Sequence, residues 1–462
     1  MECEAIFISS YTIVITHDRF RWVFLQCQVL RYSFPPNVRR ILDELPDGLD
    51  ETYERVLREI KKANQRIAHR LLQCLVAAVR PLEVEELAEV LAFDFTTKGI
   101  PKFNPSWRWE DQEEAVMSAC SSLVIVVKDG NSRIVQFSHF SVKEYLTSER
   151  LAESNRDVSR YQILLEPAHT ILAQACLGVL LRLDDRVDRD SLKSFPLARY
   201  AAKHWHRHAQ FGNVSSYVED GMKRLFDADK PHFATWLWIY IYDPYSDYPR
   251  LRSPMRPIKP TTVPLYDAAR LGFRDLVEHL LAEHPEDLHD DVGIPLHIMG
   301  TPLHISAREG HIEIVSLLIE HFPNHVDIPG QLDRSPLHDA SEMGHLEIGQ
   351  LLLSHGADLN FRNIADWTPL FCAAHYGQLE FARMLLEHGA DIDAPCSTSK
   401  TPLFVASKYG YVELVRLLLE YGADGGACNH KGVSPSHVAS EQGHQQIVQL
   451  LSEYAAKSVR DN

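Results

Sequence analysis

Residues 301–321 read TPLHISAREGHIEIVSLLIEH, and variants of this stretch recur throughout the C-terminal half of the 462-residue chain. Each copy opens around a proline, and the steps between successive prolines are 38, 34, 33, 33 and 33 residues. A glycine follows eight residues after each of these prolines. The prolines are Pro264, Pro302, Pro336, Pro369, Pro402 and Pro435. A period this regular predicts a repeat architecture.

Each part of the unit has a physical role in a pair of helices. The Thr or Ser before the proline can cap a helix, and proline suits the first turn because its missing N–H is not needed there. The glycine can adopt the left-handed conformation that ends a helix. Apolar residues at helical spacing over 312–319 predict a second helix, and Gly356, Gly389 and Gly422 are predicted to end three such helices. One pair cannot bury its own apolar face, so neighbouring pairs are expected to stack.

The pattern T-P-L-H-x-A at this period resembles the ankyrin repeat. The resemblance covers residues 262–456 and implies a predominantly α fold class, with a C-terminal ankyrin solenoid of about six repeats. An acidic insertion at 286–291 lengthens the first step. His284-Pro285 and Phe322-Pro323 stand where a helix-ending glycine is usual, so the first two repeats are expected to be distorted.

Residues 20–248 show no such period. Helical patterns at 49–61, 66–79 and 84–91 precede two apolar runs that flank Asp129-Gly130, and these runs predict a β-hairpin. A further helix is predicted from about residue 141 to 150. Helices followed by a hairpin predict a winged-helix-like α+β module over 66–150.

Several segments of this region look like the part of fungal NACHT–ankyrin NLR-like proteins that follows the nucleotide-binding core. They are FRWVF at 20–24, FPP at 34–36, LPDGLDETY at 45–53 and FSHFSVKEYL at 137–146. In that family an ATP or GTP switch precedes these segments. This sequence contains no G-x-x-x-x-G-K-[ST] motif. It therefore lacks the backbone cradle and the lysine that hold phosphates, and neither a nucleotide nor another cofactor is expected.

These patterns divide the chain into seven segments. The first, residues 1–19, is divergent and matches nothing in the family, which indicates a natural truncation or a misplaced start codon. The other six are a helical segment (20–65), the winged-helix-like module (66–150), a helical region (151–248), a proline-rich connector (249–261), the ankyrin repeats (262–456) and a tail (457–462).

The net charge and the cysteine content restrict which classes of binding partner and which cellular compartment are expected. The net charge is −16, and almost all of this excess falls after residue 260, so nucleic acid and anionic membranes are not expected partners. The acidic helices of the winged-helix-like module, with Glu86, Glu89 and Glu113 among their residues, also disfavour DNA binding. Eight cysteines form no C-x-x-C pair, and no apolar run reaches about 20 residues, so a cytoplasmic protein is predicted.

No catalytic constellation emerges, and the chain is predicted not to be an enzyme. Neither G-x-S-x-G nor H-E-x-x-H occurs. His204 and His208 share a helix face while His206 does not, and two ligands without a third make a poor metal site. Packing or solvent exposure explains these histidines better than a metal.

The resemblance to ankyrin repeats implies a protein-binding face formed by the turn tips and the exposed end of each first helix. These positions lie at −5, −4, −2, +6 and +7 from each anchor proline. The predicted partner-binding residues among them are Arg308, Arg334, Met343, Trp367, His375, Tyr376, Lys400, Lys408, Tyr409 and Lys431. Their cations make the face less acidic than the rest of this half, and their aromatic residues are of the type that dominates interface energies. The alternative is a solvent-facing surface without a partner, in which Trp367 packs on its own turn.

Three functions remain open on these grounds. The first is a non-catalytic scaffold or sensor that binds a protein through the ankyrin concave face. The second is the C-terminal part of a NACHT-type signalling NTPase whose nucleotide-binding core is missing from the gene model. The third is a ubiquitin-ligase substrate adaptor, although no F-box or SOCS-like motif is recognisable.

Overall fold

A computed structural model describes residues 48–96, 99–120, 122–130, 132–188, 190–241, 263–283 and 300–461. The chain forms two compact units, residues 1–256 and 257–462. Several sequence predictions fall on residues outside these ranges. They are the divergent segment 1–19, the part of the helical segment up to residue 47 with its FRWVF and FPP motifs, the connector 249–261, the acidic insertion and His284-Pro285.

The first unit contains the predicted α+β module. Its helices are α1 (Leu49–Glu59), α2 (Gln65–Ala77), α3 (Val84–Leu91), α4 (Gln112–Cys120) and α5 (Phe140–Thr147). Its strands are β1 (Leu82–Glu83), β2 (Phe93–Asp94), β3 (Lys102–Phe103), β4 (Val124–Asp129) and β5 (Ser132–Phe137). The β4–β5 hairpin pairs Val126 with Val135, and β5 also pairs with β1, so β5 is the central strand of an antiparallel sheet. Strands β2 and β3 form a separate antiparallel pair.

The helix predicted over 141–150 is two helices. Helix α5 ends at Thr147, because Ser148 is extended and its hydroxyl accepts a hydrogen bond from the Leu151 N–H. This cap begins α6 (Glu149–Glu153), which α7 (Arg156–Ser159) follows. A serine that caps a new helix was hidden inside a continuous helical pattern.

Two glutamates that we expected to repel DNA are inside the protein. Glu86 and Glu89 of α3 are 3% and 2% exposed. Glu86 accepts two hydrogen bonds from Arg80, at 2.8 and 2.6 Å, and Glu89 accepts from Arg108 and from the Leu197 N–H. Because both carboxylates are buried and paired with arginines, neither is available to repel a duplex.

The remainder of the first unit is helical. It contains α8 (Leu165–Leu180), α9 (Ala198–Ala209), α10 (Val214–Leu225) and α11 (Pro231–Ile241). Their core is aromatic: the Trp205 and Phe226 rings each lie within 6.0 Å of the Trp236 ring, and all three side chains are fully buried. Bulky rings of this kind supply most of the apolar area buried in a small helical core.

The second unit is a row of helix pairs, as predicted. The first helices of the six repeats are α12 (Pro264–Leu271), α14 (Pro302–Glu309), α16 (Pro336–Met343), α18 (Pro369–Tyr376), α20 (Pro402–Tyr409) and α22 (Pro435–Glu441). The second helices are α13 (Arg274–Glu283), α15 (Ile312–His321), α17 (Leu346–Ser354), α19 (Leu379–Glu387), α21 (Val412–Glu420) and α23 (Gln445–Asp461).

The helix ends follow the sequence signals. The Thr368 and Thr401 hydroxyls accept hydrogen bonds from the N–H of the third residue of the helices that they cap, Phe371 and Phe404. The first helices of repeats one to five end at left-handed glycines with φ between 76° and 85°. At Phe322-Pro323 the second helix of repeat two passes into a 3-10 turn at Pro323–His325. Proline there lacks the N–H that a glycine cap would supply, so this repeat ends irregularly, as expected.

Candidate protein-interaction surface

The repeat geometry places the predicted binding residues at two kinds of position. The first kind comprises positions +6 and +7, counted from the anchor proline. In repeats one to five these are the last two residues of the first helix, directly before its left-handed glycine. Residues −5 to −2 form the turn before the next proline. In three successive turns the residue at −3 has a positive φ without being glycine: Asp333 (54°), Asp366 (55°) and Ser399 (55°).

Backbone hydrogen bonds join these turns across the repeats. The Ile364 N–H donates to the Leu332 carbonyl oxygen at 3.1 Å, and the Ser397 N–H donates to the Ala365 carbonyl oxygen at 3.0 Å. Adjacent tips are therefore held in register, and side chains at equivalent positions form a row along the unit.

Four of the predicted residues form one aromatic cluster that we define as Trp367, His375, Tyr376 and Tyr409. The His375 ring is its centre, because its centroid lies 4.8 Å from that of Trp367 and 4.9 Å from those of both tyrosines. His375 and Tyr376 end the first helix of repeat four, whereas Tyr409 ends that of repeat five. The cluster thus bridges two repeats and the turn between repeats three and four.

The members of the aromatic cluster differ in exposure. Tyr376 and Tyr409 are 43% and 41% exposed, whereas Trp367 is half-buried and packs against Phe371 at 4.8 Å as well as against His375. The indole therefore supports the cluster from within its own repeat, and the two tyrosines present the accessible faces. Large amphipathic rings held in this way contribute contact area at little entropic cost.

The local electrostatics keep the centre of the cluster uncharged. Burial, together with the nearby Lys408 charge, lowers the pKa of His375, so its imidazole is neutral at neutral pH. The Lys408 ammonium lies 5.1 Å from the Tyr409 ring centroid, within the range of a cation–π contact.

Arg308 and Arg334 are occupied by partners inside the protein, which sequence reasoning did not anticipate. The Arg308 guanidinium lies 2.9 Å from Glu342, and Arg334 lies 2.6 Å from Glu342 and 2.8 Å from Asp339. The two arginine side chains are only 19% and 12% exposed. Burial opposes ionisation of Glu342, but the two arginines outweigh it and hold the pKa of this carboxyl below its usual range.

This ion-pair cluster changes the charge pattern of the face. Its two arginines balance two carboxylates, so repeats two and three contribute little net charge there. The remaining predicted cations, Lys400, Lys408 and Lys431, all belong to repeats five and six or the turns before them. Positive charge therefore lies beside the aromatic cluster and towards the C-terminal end.

Three further apolar side chains are exposed at the turn and helix-end positions of the predicted face. Met343, from the predicted set, is 46% exposed. Leu332 and Ile364, at the joined tips, are 56% and 61% exposed and were not among the predicted binding residues. The repeat register places both on the predicted face, at positions −4 and −5 from their anchor prolines, but they were not selected from it as binding residues.

His208 of the first unit has a packing role. The His208 ring is fully buried, with its Nε2 2.8 Å from the Tyr200 hydroxyl and its Nδ1 2.9 Å from Nδ1 of His169. Burial lowers the pKa of His208 to about 3.

Within the described ranges no group of three or more His, Cys, Asp or Glu side chains is arranged to hold a metal ion. Nor does any helix in those ranges have the length and apolar content needed to span a bilayer.

Two known families match parts of the chain. Ankyrin repeats match in overlapping blocks at residues 265–363, 331–396, 360–427 and 393–462. The winged helix domain of GPI inositol-deacylase matches residues 53–157, which covers the helices, the sheet and the hairpin of the α+β module.

Two fungal proteins are similar in sequence. The azaphilone pigments biosynthesis cluster protein L of Monascus ruber is 33% identical over 297 residues, which are 60% of this chain and 60% of that protein. The vegetative incompatibility protein HET-E-1 of Podospora anserina is 30% identical over 145 residues, 30% of this chain and 10% of that protein. The chain thus spans less than two thirds of either relative.

These matches confirm both family resemblances drawn from the sequence, including that to the NACHT-associated region of fungal proteins. The chain therefore contains ankyrin repeats over residues 265–462 and, ahead of them, a winged helix domain of the GPI inositol-deacylase type over residues 53–157.

Proposed function

We propose that this chain is a non-catalytic scaffold or sensor that binds a protein partner across repeats three to five. Ankyrin repeats mediate protein–protein interaction, and the aromatic cluster supplies the anchor here. The observation that carries the proposal is the contact of His375 with Tyr376 and Tyr409 at 4.9 Å, because it joins two repeats into one apolar surface. Hot spots of protein interfaces are rich in such residues.

The charge around the cluster defines the partner further. Lys400 and Lys408 flank the tyrosines, whereas Arg308 and Arg334 are already paired. A segment with apolar side chains and a few carboxylates fits this arrangement, with the carboxylates directed towards the lysines of repeat five.

Selection from a random peptide display library against the full chain tests this proposal. We expect enriched peptides to combine aromatic or aliphatic residues with Asp or Glu. Truncation of Trp367, Tyr376 or Tyr409 to Ala should each cost more than about 1 kcal/mol of binding free energy. The double variant Tyr376→Ala/Tyr409→Ala leaves the half-buried indole in place and so tests the exposed rings alone.

Tyr421→Ala is the matched control for this experiment. Tyr421 is 42% exposed, almost the same as Tyr376 and Tyr409, and lies in repeat five after the second helix. Its truncation should leave the affinity of the selected peptides unchanged. If the triple variant Trp367→Ala/Tyr376→Ala/Tyr409→Ala bound the selected peptides as tightly as the unaltered chain, the proposed site would be refuted.

A second candidate places the same surface within a larger signalling protein. The match to HET-E-1 covers only 10% of that protein, and the winged helix domain is of a kind associated with NACHT regions in fungi. In this alternative the chain is the C-terminal part of a NACHT-type NTPase, and the repeats are its ligand-sensing end. Sequencing of transcripts across the 5′ end tests it, because an in-frame P-loop exon upstream would support the larger protein.

A further inference from the structure

A cavity of about 250 Å³ lies in the first unit, apart from the repeat surface. Helix α2 provides one wall through residues spaced three and four apart, which share a helix face. The segment after α7 and helix α8 complete it. The residues used below are Arg66, His69, Arg70, Arg160, Tyr161 and Ile171.

The lining of this cavity contains three arginines and no carboxylate. Arg160 already has an anionic partner, because its guanidinium donates to the Asp157 carboxylate at 2.7 Å, and it also donates to the Gln65 side chain at 2.9 Å. Arg70 has only weak polar contact, a 3.4 Å hydrogen bond to the Phe93 carbonyl oxygen, and its guanidinium lies 4.3 Å from the Phe95 ring centroid.

The two remaining cations therefore lack a matching anion. Arg66 is exposed and forms no ion pair with the described residues. Burial and the neighbouring Arg66 charge both lower the pKa of Arg70. Asp94, which is close enough to act on both arginines, accepts hydrogen bonds from Thr96 and does not line the cavity.

The lining also includes His69, Tyr161 and Ile171. Tyr161 is fully buried, and its hydroxyl has no hydrogen-bond partner among the described residues. Ile171 and the His69 ring provide the accessible apolar contact, and the buried Tyr161 ring packs against His69 with the two centroids 6.1 Å apart.

We propose that this cavity binds a small phosphate monoester whose organic part packs against Ile171 and the His69 ring. A phosphate monoester carries between one and two negative charges at neutral pH, which matches the two arginines that remain after Arg160 is paired. Guanidinium groups bind phosphate oxygens in pairs and are well suited to this task. The volume is just below the range of about 300–1,000 Å³ typical of drug-sized ligands, so the organic part is small.

Titration calorimetry of the full chain with phenyl phosphate, inorganic phosphate and phenol tests this site. We expect phenyl phosphate to bind most tightly, inorganic phosphate more weakly, and phenol not at all at millimolar concentration. Arg66→Gln and Arg70→Gln should each weaken phenyl phosphate at least about ten-fold, since each removes a charged hydrogen-bond donor.

Arg199→Gln is the matched control, because Arg199 is an exposed arginine of the same unit that does not line the cavity. It should leave the affinity for phenyl phosphate unchanged, and circular dichroism checks that each variant is folded. Three results would overturn the site: no binding of phenyl phosphate, equal binding by phenol, or unchanged affinity in both Arg66→Gln and Arg70→Gln. Tighter binding of a phosphotyrosine pentapeptide than of phenyl phosphate would overturn the assignment to a free small molecule.

Discussion

The Nε2 atom of His345 lies 2.9 Å from the backbone carbonyl oxygen of Arg308, one repeat earlier in the chain. The same contact recurs in three other repeats, and the imidazole or amide also covers the glycine that ends the preceding first helix. The equivalent pairs are His311 with Arg270, Gln378 with Glu342 and His444 with Lys408. Each side chain satisfies a carbonyl at a helix end that has no intrahelical partner, and so ties neighbouring repeats together.

His345→Ala should therefore lower the free energy of unfolding of the repeats by about 1–3 kcal/mol, because the Arg308 carbonyl loses its partner. His345→Gln should retain most of the stability, since Gln378 makes the equivalent bond at 3.0 Å in the next repeat. Urea unfolding followed by circular dichroism measures both. Equal losses in the two variants would show that the hydrogen bond is unimportant.

The glycines at the helix ends and the turn tips should respond differently to alanine. Gly377 and Gly432 have similar φ values, 76° and 73°, but a Cβ at Gly377 would lie 2.8 Å from the Tyr411 ring, whereas nothing lies within 4 Å at Gly432. Gly432→Ala should cost about 1 kcal/mol from backbone strain alone, and Gly377→Ala at least about 1 kcal/mol more from overpacking. Unfolding midpoints measure the difference, and equal costs would contradict the steric explanation.

The stability of repeat three should fall as the pH is lowered from about 6.5 towards 4. His338 is fully buried, and burial lowers its pKa to about 4 from an ordinary 6.5. Between these values the unfolded chain binds a proton that the folded chain does not, so acid favours unfolding, by up to about 3 kcal/mol. Hydrogen exchange of the α16 and α18 amides measured against pH reports this loss locally.

His338→Phe is the control for this titration, because phenylalanine occupies the same position in the next two repeats as Phe371 and Phe404. The variant should fold and should lose most of the pH dependence between 6.5 and 4. If the stability of this variant still fell as steeply between pH 6.5 and 4, a group other than His338 would be the cause of the pH dependence.

The buried ion-pair cluster should be sensitive to the loss of one carboxylate. Asp339→Asn removes a charge from a side chain that is 1% exposed and bonded to Arg334, so the unfolding free energy should fall by about 3–5 kcal/mol. Glu380→Gln is the matched control: Glu380 is 65% exposed and lies 3.4 Å from Arg383, so its loss should cost less than about 1 kcal/mol. Denaturant unfolding compares the two, and a small effect at Asp339 would refute the structural importance of the cluster.

Sequence reasoning was most reliable where the signal is local. The prolines, the capping threonines and the left-handed glycines predicted the helix ends of the repeats, because each acts within one helical turn. The winged helix was predicted from the helix-then-hairpin order for the same reason, and α3 lies at 84–91 as expected. Ser148 shows the limit, since a capping serine cannot be distinguished from a solvent-facing one within a continuous helical pattern.

The sequence by itself thus determined the architecture: a winged helix followed by a solenoid, with the tips of the solenoid as the predicted binding face. Which charges remain at the surface was decided only by the tertiary structure. Arg308 and Arg334 look free in the repeat pattern, but Asp339 and Glu342 neutralise them across a repeat boundary. The meeting of His375 with Tyr409, and the cavity beside Arg70, likewise depend on contacts between elements. Periodicity records which side of a helix is apolar, whereas the pairing of polar groups depends on distances that exist only once the helices are packed.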